Sequence, residues 1–273
     1  MKKGILLILA VFLVSAAAFA GAKKDTSGQT VVKIGLTGEE FRPAWSKVAE
    51  IVAKDGIKVE LVDFSDYSQP NRALNDGDID LNSFQHYAFL EGEINDHNYA
   101  ITALGNTGIF FLGVYSRKIT SLDQLKNGDT VVIMNDATNG GRALKVLESA
   151  GVFTVDPSKG NLPTVQDITS NPKNIKIVEV DAAQTWRNLD DPVVAAAVVN
   201  STFVIDGGGN PAKDAIFIKP LDSAGEKQYI NLVAVRTAEK DNPVYRKLLA
   251  TFQSPEIAAV IEESLKGSAL PAW

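Results

Sequence analysis

Short β-branched runs alternate along this chain with amphipathic helical stretches, and that alternation constrains the fold most. Strand, helix, strand in succession builds a parallel sheet with helices on its faces. Val31-Val32-Lys33-Ile34-Gly35-Leu36 reads as a first strand, and the stretch Pro43 to Lys54 places Trp45, Val48, Ile51 and Val52 near helical spacing. Lys58-Val59-Glu60-Leu61-Val62 follows as a second strand. Pro70 opens another helix, Gly77 closes it and Ile79-Asp80-Leu81 resumes the sheet, proline inside a helix start and glycine past its end being the usual asymmetry.

The pattern restarts at Thr130-Val131-Val132-Ile133-Met134, after a short helix with Ser121 as its cap. A second lobe is expected there, with a helix from Gly141 to Ala150, a strand at Lys176-Ile177-Val178-Glu179-Val180 and an apolar run from Val193 to Val199 that ends at Asn200. The runs Gly108 to Tyr115 and Tyr229 to Arg236 share a continuous apolar character, as in strands buried on both faces. They pair as neighbours where the chain passes between lobes. Helices beginning at Asn242-Pro243 and Ser254-Pro255 should return to the first lobe. The expected division is a signal peptide over 1–20, a tether over 21–30, lobe 1 from 31–112 with 233–273, and lobe 2 from 113–232.

Met1-Lys2-Lys3, the apolar stretch Gly4 to Ala20 and the closing Ala18-Phe19-Ala20 carry the marks of a secretory signal, and the stretch is too short for a membrane span. The chain has no cysteine, which removes disulfides, thiolate nucleophiles and thiolate metal sites. A formal charge of −6 argues against a nucleic-acid partner, because phosphate neutralisation needs a basic face. His86 and His97, eleven residues apart, carry no metal-ligand signature, so no metal and no cofactor are expected. Ser83 and Ser201 lie outside any Gly-x-Ser-x-Gly elbow, and no third group is evident to orient His86 as a base. Enzyme function is the weakest reading.

The run Asp78-Ile79-Asp80-Leu81-Asn82-Ser83-Phe84-Gln85-His86-Tyr87 strings amide, imidazole and aromatic groups along a strand leading into a helix, a mixture suited to a pocket. Phe84 and His86, two apart on a strand, point the same way. Further on, Asn139-Gly140-Gly141-Arg142 reads as a loop and helix start, where free N–H groups and a guanidinium fork can hold a carboxylate. Asn200 and Asn231 punctuate apolar strands, and a buried amide must find a partner, which a polar ligand can supply. With Tyr67 and Phe84 as apolar walls, these groups match a zwitterion with an apolar tail.

At these residues the chain resembles the methionine-binding lipoproteins of bacterial ABC importers, whose pattern Asp-Tyr-x-Gln-Pro-Asn … Gly-Asp-Ile-Asp-x-Asn-x-Phe-Gln-His is similar to residues 66–86. The likeness runs from Val31 to Pro271-Ala272-Trp273, through Gly105-Asn106-Thr107, Asn135-Asp136, Asn171-Pro172-Lys173-Asn174 and Leu189-Asp190-Asp191. It implies the type II periplasmic binding protein fold, two α/β lobes closing on an amino acid, in a monomer that binds L-methionine and delivers it to an ABC permease with its ATPase. By the same likeness Tyr67 and Phe84 enclose the methionine side chain, His86 and Arg142 meet its polar end, and Asn200 and Asn231 complete the hydrogen bonds. Phe89 and Asn139 complete the candidate ligand-binding set.

Two departures from that pattern leave alternatives open. Ala88-Phe89 stands where the family commonly has Pro-Tyr, so another small ligand such as a methionine-containing dipeptide fits as well; a surface antigen or adhesin on the same fold is a separate alternative. Gly21 is followed by Ala22 where the family carries its lipid-accepting cysteine. The expected location is therefore the periplasm or the membrane-associated cell envelope, either as a soluble form or as a chain in which that cysteine has been replaced.

Overall fold

The computed structural model describes residues 28–219, 227–265 and 268–273; the signal peptide and most of the expected tether lie outside them. The chain forms β1 (Thr30–Thr37), α1 (Arg42–Val52), β2 (Ile57–Phe64), α2 (Pro70–Asp76), β3 (Leu81–His86), α3 (Tyr87–His97) and β4 (Ile101–Phe110). It continues with β5 (Leu112–Tyr115), β6 (Thr130–Met134), α4 (Ala137–Ser149), β7 (Thr154–Val155), β8 (Ile168–Ser170), β9 (Lys176–Val180), β10 (Val194–Asn200), α5 (Ser201–Asp206) and β11 (Ala215–Ile218). Last come β12 (Ile230–Arg236), α6 (Pro243–Phe252), α7 (Pro255–Leu265) and β13 (Ala269–Pro271). Two large sheets result, one ordered β13-β4-β12-β3-β1-β2 and the other β11-β5-β10-β6-β9, beside a two-stranded β7-β8 ribbon. Each large sheet is the centre of one lobe.

In lobe 1, alternate residues of β12 feed opposite faces of the sheet: Val233 and Val235 join one core, Leu232 and Ala234 the other. The first core is closed by α1, whose buried Ala44, Trp45, Val48 and Val52 fall on one helical stripe. That stripe meets Tyr245, Leu248 and Phe252 of α6 and Ile257 and Ile261 of α7, with the Trp45 and Phe252 rings 4.7 Å apart. Both C-terminal helices thus return to lobe 1. In lobe 2, Val131 to Met134 of β6 are fully buried among Val194 to Val199 of β10 and the Leu144 and Leu147 face of α4.

A bulge in β3 decides how the polar run is used. Leu232 pairs with Gln85, yet two residues along β12 Ala234 pairs with Asn82, so β3 carries an extra residue. The side-chain alternation slips by one, and Asn82 and Gln85 come to the same side. There they form a buried lattice with Asn71: Asn71 Nδ2 donates to Gln85 Oε1 at 2.8 Å, while Asn82 Nδ2 and Gln85 Nε2 both donate to Asn71 Oδ1, at 2.9 and 2.5 Å. Every residue of β3 is buried. The run read as pocket-forming is therefore divided between a polar lattice inside lobe 1 and a cavity wall.

The passage between lobes differs from a single continuous strand. β4 ends at Phe110 and β5 begins at Leu112 in the other sheet, so the Gly108 to Tyr115 run breaks at Phe111; its first part pairs with β12, Ile109 opposite Ile230. A crossing backbone leaves its ladder, and its carbonyls need other donors. Arg142 Nη2 donates to Phe110 O at 3.0 Å and Ser201 Oγ to Phe111 O at 2.9 Å. Strand pairing also sets divisions a few residues from those expected. Leu112 belongs to the second sheet, Ile230, Asn231 and Leu232 to the first, and Thr30 to β1 instead of a tether.

Replacing Asn71 by leucine removes the centre of the buried lattice: Gln85 Oε1 loses its donor, and Asn82 and Gln85 keep only their mutual bond and the Asn82 contact to Pro70 O. Stability is expected to fall by about 2–4 kcal/mol, since each orphaned buried group costs roughly 1–3 kcal/mol. Urea unfolding followed by circular dichroism measures it.

Candidate functional site

The two lobes meet over a small cavity. Its wall contains all eight side chains singled out in the sequence: Tyr67 from the β2–α2 loop, Phe84 and His86 from the end of β3, Phe89 from the first turn of α3, Asn139 and Arg142 from α4, Asn200 from the end of β10 and Asn231 from β12. Glu40, Gln85, Phe110, Phe111 and Ser201 complete it. Strand ends and helix starts of both lobes converge here, the usual place for a ligand site in α/β folds.

One part of the wall is aromatic. Tyr67 lies 5.7 Å from Phe84, 5.9 Å from Phe89 and 5.0 Å from Phe203 between ring centroids. The Tyr67 hydroxyl donates to Thr202 Oγ1 at 3.0 Å, and burial raises its pKa well above the ordinary phenol value. Tyr67 is thus a neutral wall with its polar tip tied to the opposite lobe.

The polar part centres on Asn139. Asp136 caps α4, accepting from Asn139 N at 2.8 Å, from Asn139 Nδ2 and from Thr138 Oγ1. Burial raises the Asp136 pKa despite these bonds. The Asn139 amide is thereby aimed, and its Oδ1 accepts from Asn200 Nδ2 at 3.1 Å and lies 3.2 Å from His86 Nε2. His86 Nδ1 accepts from Phe89 N at 3.0 Å, capping α3. With Nδ1 an acceptor, the proton sits on Nε2 and is donated to Asn139. Burial, helped by the Arg142 charge, lowers the His86 pKa to about 3, so the ring is neutral at physiological pH.

The helix start differs from the expected anion loop. α4 begins at Ala137, so Asn139 to Arg142 lie within it, and its N-terminus is taken by the Asp136 carboxylate. Gly140 and Gly141 serve close packing: a Cβ at Gly140 would stand 2.8 Å from Met134 O, and one at Gly141 2.7 Å from Asn161 O. Arg142 sits in the second turn with its guanidinium carbon 4.2 Å from the Tyr229 ring centroid. An anion at this end would be met by a guanidinium, with no contribution from free helix N–H groups.

The asparagines also find protein partners. Asn231, its amide turned so that both groups are satisfied, donates from Nδ2 to Phe84 O and Gln85 O at 3.3 Å. Asn200 spends Nδ2 on Asn139, while its buried Oδ1 meets no donor among the described residues. Sequence reading passed over Glu40, Phe110 and Phe111; Gln85 was named within the pocket run and Ser201 was weighed as a nucleophile, but neither was chosen as a ligand contact. For Glu40 a signal existed, since Glu39-Glu40 follow the C-terminal end of β1 after Gly38, at the ligand-facing edge of a parallel strand.

A family model described as NlpA lipoprotein matches residues 32–273. The chain belongs to the NlpA lipoprotein family. The D-methionine-binding lipoprotein MetQ of Escherichia coli K12 is 40% identical over 264 residues, covering 96% of this chain and 95% of that protein. Among solved structures, protein PG110 from Staphylococcus aureus superposes with a TM-score of 0.86 at 44% identity, over 88% of this chain and 94% of that one. A nutrient-binding protein from Burkholderia cenocepacia, bound to methionine, gives 0.83 at 39% identity, over 89% and 100%. The two α/β lobes are those of the type II periplasmic binding protein fold.

His86 leaves a signature in the pH dependence of stability. An imidazole held near 3 in the folded chain but near 6.5 when unfolded contributes stability that is complete above about pH 6.5 and is lost as pH falls toward 3. Between pH 7.5 and 5 the melting temperature of the wild type should fall relative to His86→Gln, whose residue does not titrate. Other titrating groups are common to both proteins and cancel in the difference.

Proposed function

We propose that this chain is the extracytoplasmic substrate-binding receptor of an ABC importer, binding L-methionine between its lobes and delivering it to the membrane permease. Its place is the cell envelope, as a monomer. The observation that carries the reading is the wall of the interlobe cavity. A neutral aromatic box of Tyr67, Phe84 and Phe89 adjoins a polar set made of Arg142, His86 and three oriented asparagine amides. A thioether chain fits the first and an amino-acid head group the second.

The relatives support the same reading, since MetQ carries methionine binding in its name and the Burkholderia protein was solved with methionine. Bonds from His86 to Asn139 and from Tyr67 to Thr202 join the lobes around the cavity. A ligand that touches both sides favours that joined arrangement by its differential affinity for it, giving a permease a distinct shape to recognise.

Calorimetric titration of ligand-free protein with L-methionine tests the proposal. Arg142→Ala should cost about 2–4 kcal/mol of binding, the scale for losing a buried charged hydrogen-bond partner. Affinity near the wild-type value would make Arg142 a structural residue that holds the Phe110 carbonyl.

Selectivity provides a second test. Norleucine should compete with methionine, while aspartate and lysine should not, because an unpaired side-chain charge among Tyr67, Phe84 and Phe89 is costly to bury. Equal competition by either charged amino acid would refute the assignment. Mass analysis of ligand released on denaturation separates methionine from a dipeptide.

A further inference from the structure

We infer that Glu40 is the counter-charge for the ammonium group of the amino acid held between the lobes, and so the residue by which the site selects amino acids over simple carboxylic acids. The inference rests on the methionine reading above and adds the acidic half of its recognition, which the family pattern in the sequence did not supply.

Glu40 lies just beyond β1 and is 5% exposed. Gly38 brings it there: with φ of 75° the chain turns so tightly against α5 that a Cβ would stand 2.4 Å from Thr202 Cγ2. Glu40 Oε2 then accepts from Thr202 Oγ1 at 2.5 Å, and Thr202 Oγ1 itself accepts from Tyr67. The chain of donors runs one way, Tyr67 to Thr202 to Glu40. It fixes the carboxyl in the wall while using one of its acceptor positions.

An ionised carboxylate has room for about four hydrogen bonds, and among the described residues Thr202 is the donor that reaches Glu40. Other carboxyls nearby are differently placed. Asp136 is saturated by Thr138 and Asn139, and Asp206, which accepts from Glu39 N at 3.1 Å, does not line the cavity. Among the described lining residues Arg142 is the one cation and Glu40 the one acid. A zwitterion needs one of each.

Energetics point the same way. Burial pushes the Glu40 pKa up to about 8; the Thr202 bond opposes this and the Asp206 charge adds to it. Charge on Glu40 is therefore unfavourable until a cation arrives to balance it. An ammonium supplies both the charge and three donors, and it would itself be costly to bury without an anion.

The test titrates full-length protein, freed of ligand, with L-methionine and with 4-(methylsulfanyl)butanoic acid, which keeps the thioether and carboxylate but lacks the amine. Wild type should bind the analogue more weakly. Glu40→Gln should weaken methionine by about 10- to 150-fold, the range for hydrogen bonds to charged groups, and leave the analogue within about threefold. Thr202→Val, which breaks the bridge between lobes but keeps the acid, should weaken both ligands in the same ratio.

Equal losses for both ligands in Glu40→Gln would reduce Glu40 to an interlobe bridge and overturn the inference, as would unchanged methionine affinity. Equally tight binding of both ligands by the wild type overturns it without recourse to any variant. If folded wild type does not bind methionine, the methionine reading fails and this inference falls with it, a result distinct from the other three.

Discussion

An extra residue in β3 is the constraint on which the cavity depends. A regular strand sends alternate side chains to opposite faces, so Asn82 and Gln85, three apart, would point away from each other. The bulge brings them together over Asn71, where four buried amide hydrogen bonds use up polar groups that would otherwise be orphaned. With that lattice closed, Phe84 and His86 reach the cavity as a pair, and His86 is at the right place to cap α3. Rigidity of the wall comes from the lattice behind it.

From His86 the order passes to the other lobe through Asn139, whose carboxamide is oriented by the Asp136 cap. Each group has its rotamer set by a neighbour further from the cavity. Such support behind the contact residues is what holds a binding geometry within tenths of an ångström. The crossing at Phe110 and Phe111 uses the same economy, since Arg142 and Ser201, both in the cavity wall, also satisfy the carbonyls released where the chain changes sheets.

Local signals made much of this legible in the sequence. Asn242-Pro243 and Ser254-Pro255 announce α6 and α7, and the structure starts both helices at those prolines. Amides at the ends of apolar strands and aromatics in polar runs are conspicuous, and they brought Asn200, Asn231, Phe84 and His86, which line the cavity, into the candidate set. What stayed hidden depends on contacts distant in the chain. Gly140 reads as loop and Gly141 as the helix start, yet both lie inside α4, where Met134 O and Asn161 O leave no room for a side chain, and the cap is Asp136. Glu40 stayed unread; its buried carboxyl is held by Thr202, 162 residues away. The bulge in β3 leaves no mark in composition.

The order of strands in the first sheet also bears on how the chain is assembled in time. Lobe 2 draws its sheet from one contiguous stretch, β5 through β11, whereas in lobe 1 β12 is inserted between β3 and β4, and β13 covers the outer edge of β4. Until residues 230–273 are available, β3 and β4 have no common neighbour, the α1 stripe lacks α6 and α7, and Asn231 is missing from the wall. Long-range pairing of this kind is slow, because chain-closure entropy is spent before the contacts that repay it form. Lobe 2 can therefore condense as a local unit while lobe 1, and with it any competence to hold a ligand, waits for the C-terminal segment.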